Sequence, residues 1–167
     1  MSTKLSVQKE NSIIVKQLAE LLEKGNAHVT LEGAVKDLPA ELRSVKADKM
    51  PYTIWQLLEH IRITQWDILE FSSNPDHQSP VWPDEYWPKE GAPASEDAWK
   101  NSLHQIKNDR KDFIALLQRE SDKLLMPFPY GDGQNLLREA LLIADHTSYH
   151  TGEIVVLRRL LGAWKNS

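Results

Sequence analysis

The chain of 167 residues contains no cysteine. That excludes disulfides, thiolate metal ligands and a cysteine nucleophile. Any metal ion must then be held by His, Asp or Glu. Long apolar runs are missing as well, since none approaches the roughly 20 residues needed to span a bilayer. The N-terminal stretch "MSTKLSVQKENS" lacks the apolar segment and small-residue cleavage site of a secretory leader. The expected location is therefore the cytoplasm, with no membrane partner. Concentrated basic charge is also absent: the formal net charge is −4 and the basic clusters are pairs such as Arg158-Arg159. Nucleic-acid binding usually needs a basic patch, so no nucleic-acid partner is expected. No segment alternates apolar and polar residues with turn signals, so no sheet is expected. Internal repeats and low-complexity tracts are lacking too.

What is present suits one globular domain over residues 1–167. Hydrophobic residues make up 41%, enough for a sizeable core. Four segments carry helical periodicity. The first runs from about Ser6 to Lys24, with Ile13, Ile14, Gln17, Leu18, Leu21 and Leu22 on one side and Gly25 as a stop. The second runs from Thr53 to about Ser72. Its "TIWQ" start is a capping box, and Ile54, Leu57, Leu58, Ile61, Ile68 and Leu69 form its apolar face. The third runs from Ser95, a plausible N-cap, to Arg119, with Trp99, Leu103, Ile106, Phe113, Ile114 and Leu117 as its stripe. The fourth runs from Asn135 to Trp164. Four amphipathic helices in one domain predict an all-α fold, a four-helix bundle.

The connectors carry their own signals. Residues 26–50 are long enough for a crossover connection between the first two helices, with a weak helical pattern broken by Pro39. Residues 73–94, "SNPDHQSPVWPDEYWPKEGAPA", are rich in Pro and aromatics and cannot be helical throughout. Trp82, Tyr86 and Trp87 there either cover a bundle end or line a pocket. Six tryptophans in this length is a high count.

Six histidines are distributed unevenly. His28 and His77 lie in connectors and read as solvated surface, and His104 reads as surface of the third helix. His146 and His150 differ. They stand four apart and stack on one helical face, a spacing that presents two imidazoles to one metal ion. At about 100° per residue, Leu142, Ile143, Ile154, Leu157, Leu160 and Leu161 fall within about 80° either side of His146. Both histidines are thus expected at the centre of the core-facing stripe, with Glu139 and Glu153 in the same arc. Such a group needs either a polar network or an ion. A third ligand would come from a facing helix, where His60 is the candidate, at the flank of its apolar face. Three imidazoles would leave a divalent ion with an open position, as in catalytic rather than structural sites.

Two familiar metal motifs do not fit. A zinc protease needs Glu directly after the first His as general base, and here Thr147 follows His146. A di-iron bundle needs Glu three residues before each ligand His. Those positions hold Leu57, Ile143 and Thr147.

The pattern "WQLLEHIRITQWDIL" followed by "HTSYHTGEIVVLRRL" resembles the DinB/YfiT-like superfamily, metal-dependent four-helix-bundle enzymes distinct from the similarly named DNA polymerase. The resemblance implies that His60, His146 and His150 coordinate one divalent metal, commonly nickel, zinc or iron. It implies a transferase or hydrolase, with thiol-dependent transfer of a low-molecular-weight thiol to a small electrophile among the known activities. It also implies a homodimer. Many relatives have Gln where this chain has Glu153, which makes Glu153 a candidate fourth ligand or catalytic base. Tyr149, Trp82 and Trp87 are candidate walls of a small-molecule substrate site. The alternative is a non-catalytic bundle binding a small ligand or protein partner, with structural histidines.

Overall fold

The computed structural model describes the backbone of residues 2–164 and the side chains of residues 8–164. Five α-helices are present and no strand occurs among the described residues: α1 Ser2–Lys24, α2 Leu31–Val35, α3 Ile54–Ser73, α4 Glu96–Arg119 and α5 Leu136–Leu160. No helix among them is long and apolar enough to cross a membrane. The helix starts follow from local chemistry. Thr53 Oγ1 accepts from Gln56 N while Gln56 Oε1 accepts from Thr53 N, completing the capping box of α3. Ser95 caps α4 and Asn135 caps α5 in the same way, each accepting from the amide three residues on.

Glycine sets the ends of α1 and α5. Gly25 takes φ +68 beyond α1 and Gly162 takes φ +69 beyond α5, a region glycine enters without steric cost. Gly162 N donates to Arg159 O and Ala163 N to Arg158 O, the paired bonds of a Schellman stop. The last helix therefore ends at Leu160, four residues before the expected Trp164. The connector after α1 is also more ordered than its pattern suggested. Thr30 caps the single turn and a half of α2, and a 3-10 turn spans Ala40–Leu42 just after Pro39. Arg158, buried in α5, donates to the carbonyls of Ala34, Lys36 and Ala163. One guanidinium thus ties the end of α2 to the end of α5.

Packing places α3 against both α4 and α5, α1 against α4 and α5, and α2 against α5. Two apolar clusters fill the interior. One joins α1 to the C-terminal half of α4 and the N-terminal half of α5, around Phe113, Leu117 and Ile143. The other joins α2, α3, the start of α4 and the end of α5, around Leu57, Ile61, Ile106, Ile154 and Leu157.

Three expected faces are corrected. On α1 the buried residues are Asn11, Val15, Leu18 and Leu22, while Ile13 is 56% exposed. The face is rotated because Asn11 is drawn inward to donate to Ser121 O. On α5 the buried set includes Leu136, Ala140, Ile143, His150, Thr151, Ile154 and Leu157. Its centre lies near Ile154, about 80° around the helix from His146. His146 is therefore at the margin and half-buried, and Leu160, on its far side, is 60% exposed. On α3 the shift runs the other way. The 74–95 loop covers the flank of the helix, so His60 is 2% exposed instead of lying at an edge.

Candidate metal centre

The site lies where α3 faces α5. His60, His146 and His150 each offer a ring nitrogen, and these donor atoms all lie within 4.8 Å of one another. Ring centroids are 4.5–4.7 Å apart for the three pairs. No other grouping of three His, Asp or Glu side chains close enough to hold an ion occurs among the described residues.

Their outer nitrogens determine which atoms face inward. His60 Nδ1 lies 2.8 Å from Tyr86 O. A carbonyl only accepts, so Nδ1 carries the proton and Nε2 presents a lone pair. His150 Nδ1 lies 2.6 Å from Glu153 Oε2, so it donates to the carboxylate and likewise leaves Nε2 as the ligating atom. A carboxylate behind a histidine in this manner fixes the ring and raises its basicity. His146 Nε2 is 3.0 Å from His60 Nε2. Since His60 Nε2 is bare, His146 donates, and a metal ion entering here would displace that proton.

Electrostatics favour neutral imidazoles. Burial lowers His60 to a pKa of about 4, with the His60–Tyr86 hydrogen bond opposing and nearby His150 adding to the fall. Burial, then His150 and His60, lower His146 to about 3. Both rings are uncharged near neutral pH, the state a metal needs. Three imidazole nitrogens suit zinc, nickel or iron, so the donor set fits a divalent ion.

An aromatic stack closes one side. Trp87 lies parallel to His60 at 3.8 Å and 8° and also stacks on Tyr52 at 3.8 Å and 11°. Its edge faces His150 at 5.9 Å. Of the three aromatic residues expected at the site, the structure brings Trp87 against two ligands. Tyr149 meets His150 edge-on at 5.0 Å but is 65% exposed. Trp82 is 69% exposed and touches Tyr86, with no ring contact to the histidines. Glu153 lies behind His150, on the Nδ1 side.

Of the other histidines, His104 is exposed as expected. His28 is exposed and hydrogen-bonds Val29 O and Ser148. His77 is not the solvated residue expected: its side chain is 8% exposed and its Nε2 lies 2.7 Å from Asp67 Oδ1. Asp67 Oδ2 accepts from the Tyr86 hydroxyl at 2.6 Å. Burial and the adjacent Asp67 push that hydroxyl well above the usual tyrosine range, so it remains a donor. Sequence reasoning overlooked Asp67, Tyr52 and the carbonyl of Tyr86. Asp67 had a signal: it stands seven residues from His60 and shares its face of the helix. The Tyr86 carbonyl had none, because main-chain acceptors leave no trace in residue type.

No curated protein and no solved structure matches the chain. The family profile described as the DinB superfamily matches residues 26–154, a span that holds all three histidines and most of the bundle. The chain belongs to the DinB superfamily.

Proposed function

We propose that the protein is a metal-dependent enzyme of the transferase or hydrolase type, with His60, His146 and His150 holding one divalent ion and an open position left beside it. The observation that carries this reading is the convergence of three imidazoles, two of them held from behind through Nδ1. When bound, such an ion lowers the pKa of a water or thiol at its open position. The chain's own residues supply the rest. Glu153 orients His150 and is the candidate proton acceptor. Trp87 covers the face of His60 and limits water there. Half-buried His146 marks the side open to a small-molecule substrate, with Tyr149 and Trp82 as outer aromatic surface. A low-molecular-weight thiol transferred to a small electrophile suits such a site, and the cytoplasm supplies such thiols. Nickel, zinc and iron all suit the donors.

Elemental analysis of protein purified without a metal-affinity tag tests the reading. About one equivalent of a first-row metal per chain is expected, falling to background in His146→Ala. Substoichiometric metal that His146→Ala leaves unchanged would overturn it.

The bond between His146 and His60 favours a second reading. Two imidazoles satisfy each other without an ion, as in a non-catalytic bundle that binds a small ligand or protein partner. That reading expects no thermal stabilisation by added zinc, nickel or iron.

A further inference from the structure

We infer that Asp67, Tyr86 and His77 form a latch that sets the ligating tautomer of His60, which makes Asp67 and Tyr86 positioning residues of the metal centre. The inference rests on the metal-site reading above and concerns Asp67, two turns along α3 from His60, and Tyr86, whose carbonyl accepts from His60.

His60 differs from His150 in how it is held. His150 is oriented by a side chain three residues along its own helix. His60 is oriented by a carbonyl 26 residues away, in the irregular segment between α3 and α4. A loop carbonyl is only as well placed as the loop, and residues 74–95 contain just one 3-10 turn, Asp84–Tyr86. Trp87 stacks on His60 just beyond that turn, and a second anchor must fix the turn's Tyr86 side against α3.

Asp67 does so. Its two oxygens accept from two points of the loop, Oδ1 from His77 Nε2 at 2.7 Å and Oδ2 from the Tyr86 hydroxyl at 2.6 Å. All three groups are withdrawn from solvent: Asp67 and Tyr86 are each 8% exposed, and the His77 ring packs edge-on against Trp66. Tyr86 therefore acts as a strut between two residues of α3. Its hydroxyl is fixed at Asp67 and its carbonyl at His60, sites separated by seven residues, or about 10 Å of helix. Both ends of the strut belong to one residue, so without the hydroxyl the carbonyl is steadied only from the Trp87 side, where that ring stacks on His60 and Tyr52. The carbonyl then selects the Nδ1–H tautomer less firmly, and His60 Nε2 is bare for only part of the time.

The test uses Tyr86→Phe and Asp67→Asn. The first removes only the hydroxyl. The second leaves one carbonyl oxygen where two acceptors stood. Two readouts are taken on the full chain. In the metal-free protein, long-range proton–nitrogen spectra of the imidazoles report the tautomer of each histidine. Wild type is expected to show His60 protonated at Nδ1 alone, and both variants an average of the two tautomers, with His150 unchanged. In the second readout, titration with Co²⁺ is expected to show about a 10-fold weaker dissociation constant in each variant, with altered visible bands. A His60 tautomer in both variants identical to wild type overturns the latch, and so does an unchanged Co²⁺ affinity. Absence of Co²⁺ binding by wild type would overturn the metal-site reading instead, and the tautomer comparison would still decide whether the latch exists.

Discussion

At the scale of single residues, Glu153 is the most informative position. Its carboxylate is engaged at 2.6 Å with His150 Nδ1, which suits an orienting role whatever part it takes in proton transfer. Glu153→Gln keeps an acceptor oxygen but removes the negative charge that makes His150 a better ligand. It should weaken metal binding by about 10-fold, near the lower end of outer-shell effects, with the helical circular dichroism of wild type retained. Competition with a coloured chelator measures this. An undiminished affinity would place Glu153 outside the ligand network. Asp109 poses a different question. Burial first, and Asp112 second, raise its carboxyl to about 6, and its Oδ2 is a buried acceptor without a partner. A carboxyl raised in the folded state contributes stability below its unfolded pKa of 3.8 and loses it as pH rises through 6. Asp109→Asn should therefore stabilise the protein at pH 7.5, by about 1 kcal/mol once solvent screening is allowed for. It should bring no gain at pH 3.5. Urea unfolding at the two pH values checks the sign.

At the scale of elements, α3 is the spine of the site. Its start is fixed by the Thr53 capping box, and Thr53 Oγ1 also donates to Gly91 O at 2.9 Å. One hydroxyl thus pins both the helix and the far end of the aromatic loop. Thr53→Ala should cost about 1–2 kcal/mol in urea unfolding, and hydrogen exchange should quicken around Gly91 as well as in the first turn of α3. The four long helices were legible because each is amphipathic over many turns, and α3, α4 and α5 begin at polar caps. The short α2 was not: five residues cannot hold a helix by propensity, and the buried Arg158 that holds its end lies 122–124 residues away. The paired histidines of α5 were legible from their four-residue spacing, yet their rotation relative to the core was not. That rotation follows from which neighbours α5 packs against, and polar Thr151 and Arg158 are drawn inside with the leucines. The burial of His60 was hidden for a related reason. A loop, invisible to helical periodicity, covers the side of α3 that looked polar.

At the scale of the whole molecule, folding and metal binding should be linked through pH. His60 and His146 are lowered from 6.5 to about 4 and about 3 by burial. A histidine lowered in the folded state contributes stability above its unfolded pKa and loses it as pH falls through the folded value. The metal-free protein should therefore lose stability as pH drops from about 6.5 towards 3, with His60 alone worth up to about 3 kcal/mol. Unfolding curves in chelator across that range test the window. A metal ion at 1,000 times its dissociation constant should add about 4 kcal/mol at pH 7, and less as acid competes for the nitrogens. Assembly is open to test as well. The outer side of α5 exposes Leu141, Tyr149, Val156 and Leu160, a setting that suits the homodimer expected from the sequence resemblance. Sedimentation at micromolar concentration should return twice the 19.2 kDa chain mass, and Val156→Lys should return the monomer.

The central claim is that three histidines from two helices hold one ion with a position left open. The most direct measurement is a crystal structure of the metal-loaded protein. The account predicts one ion bound by Nε2 of His60, His146 and His150, with water or another exchangeable ligand completing its shell. An ion closed off by four protein ligands, or one bound away from these three nitrogens, would contradict it.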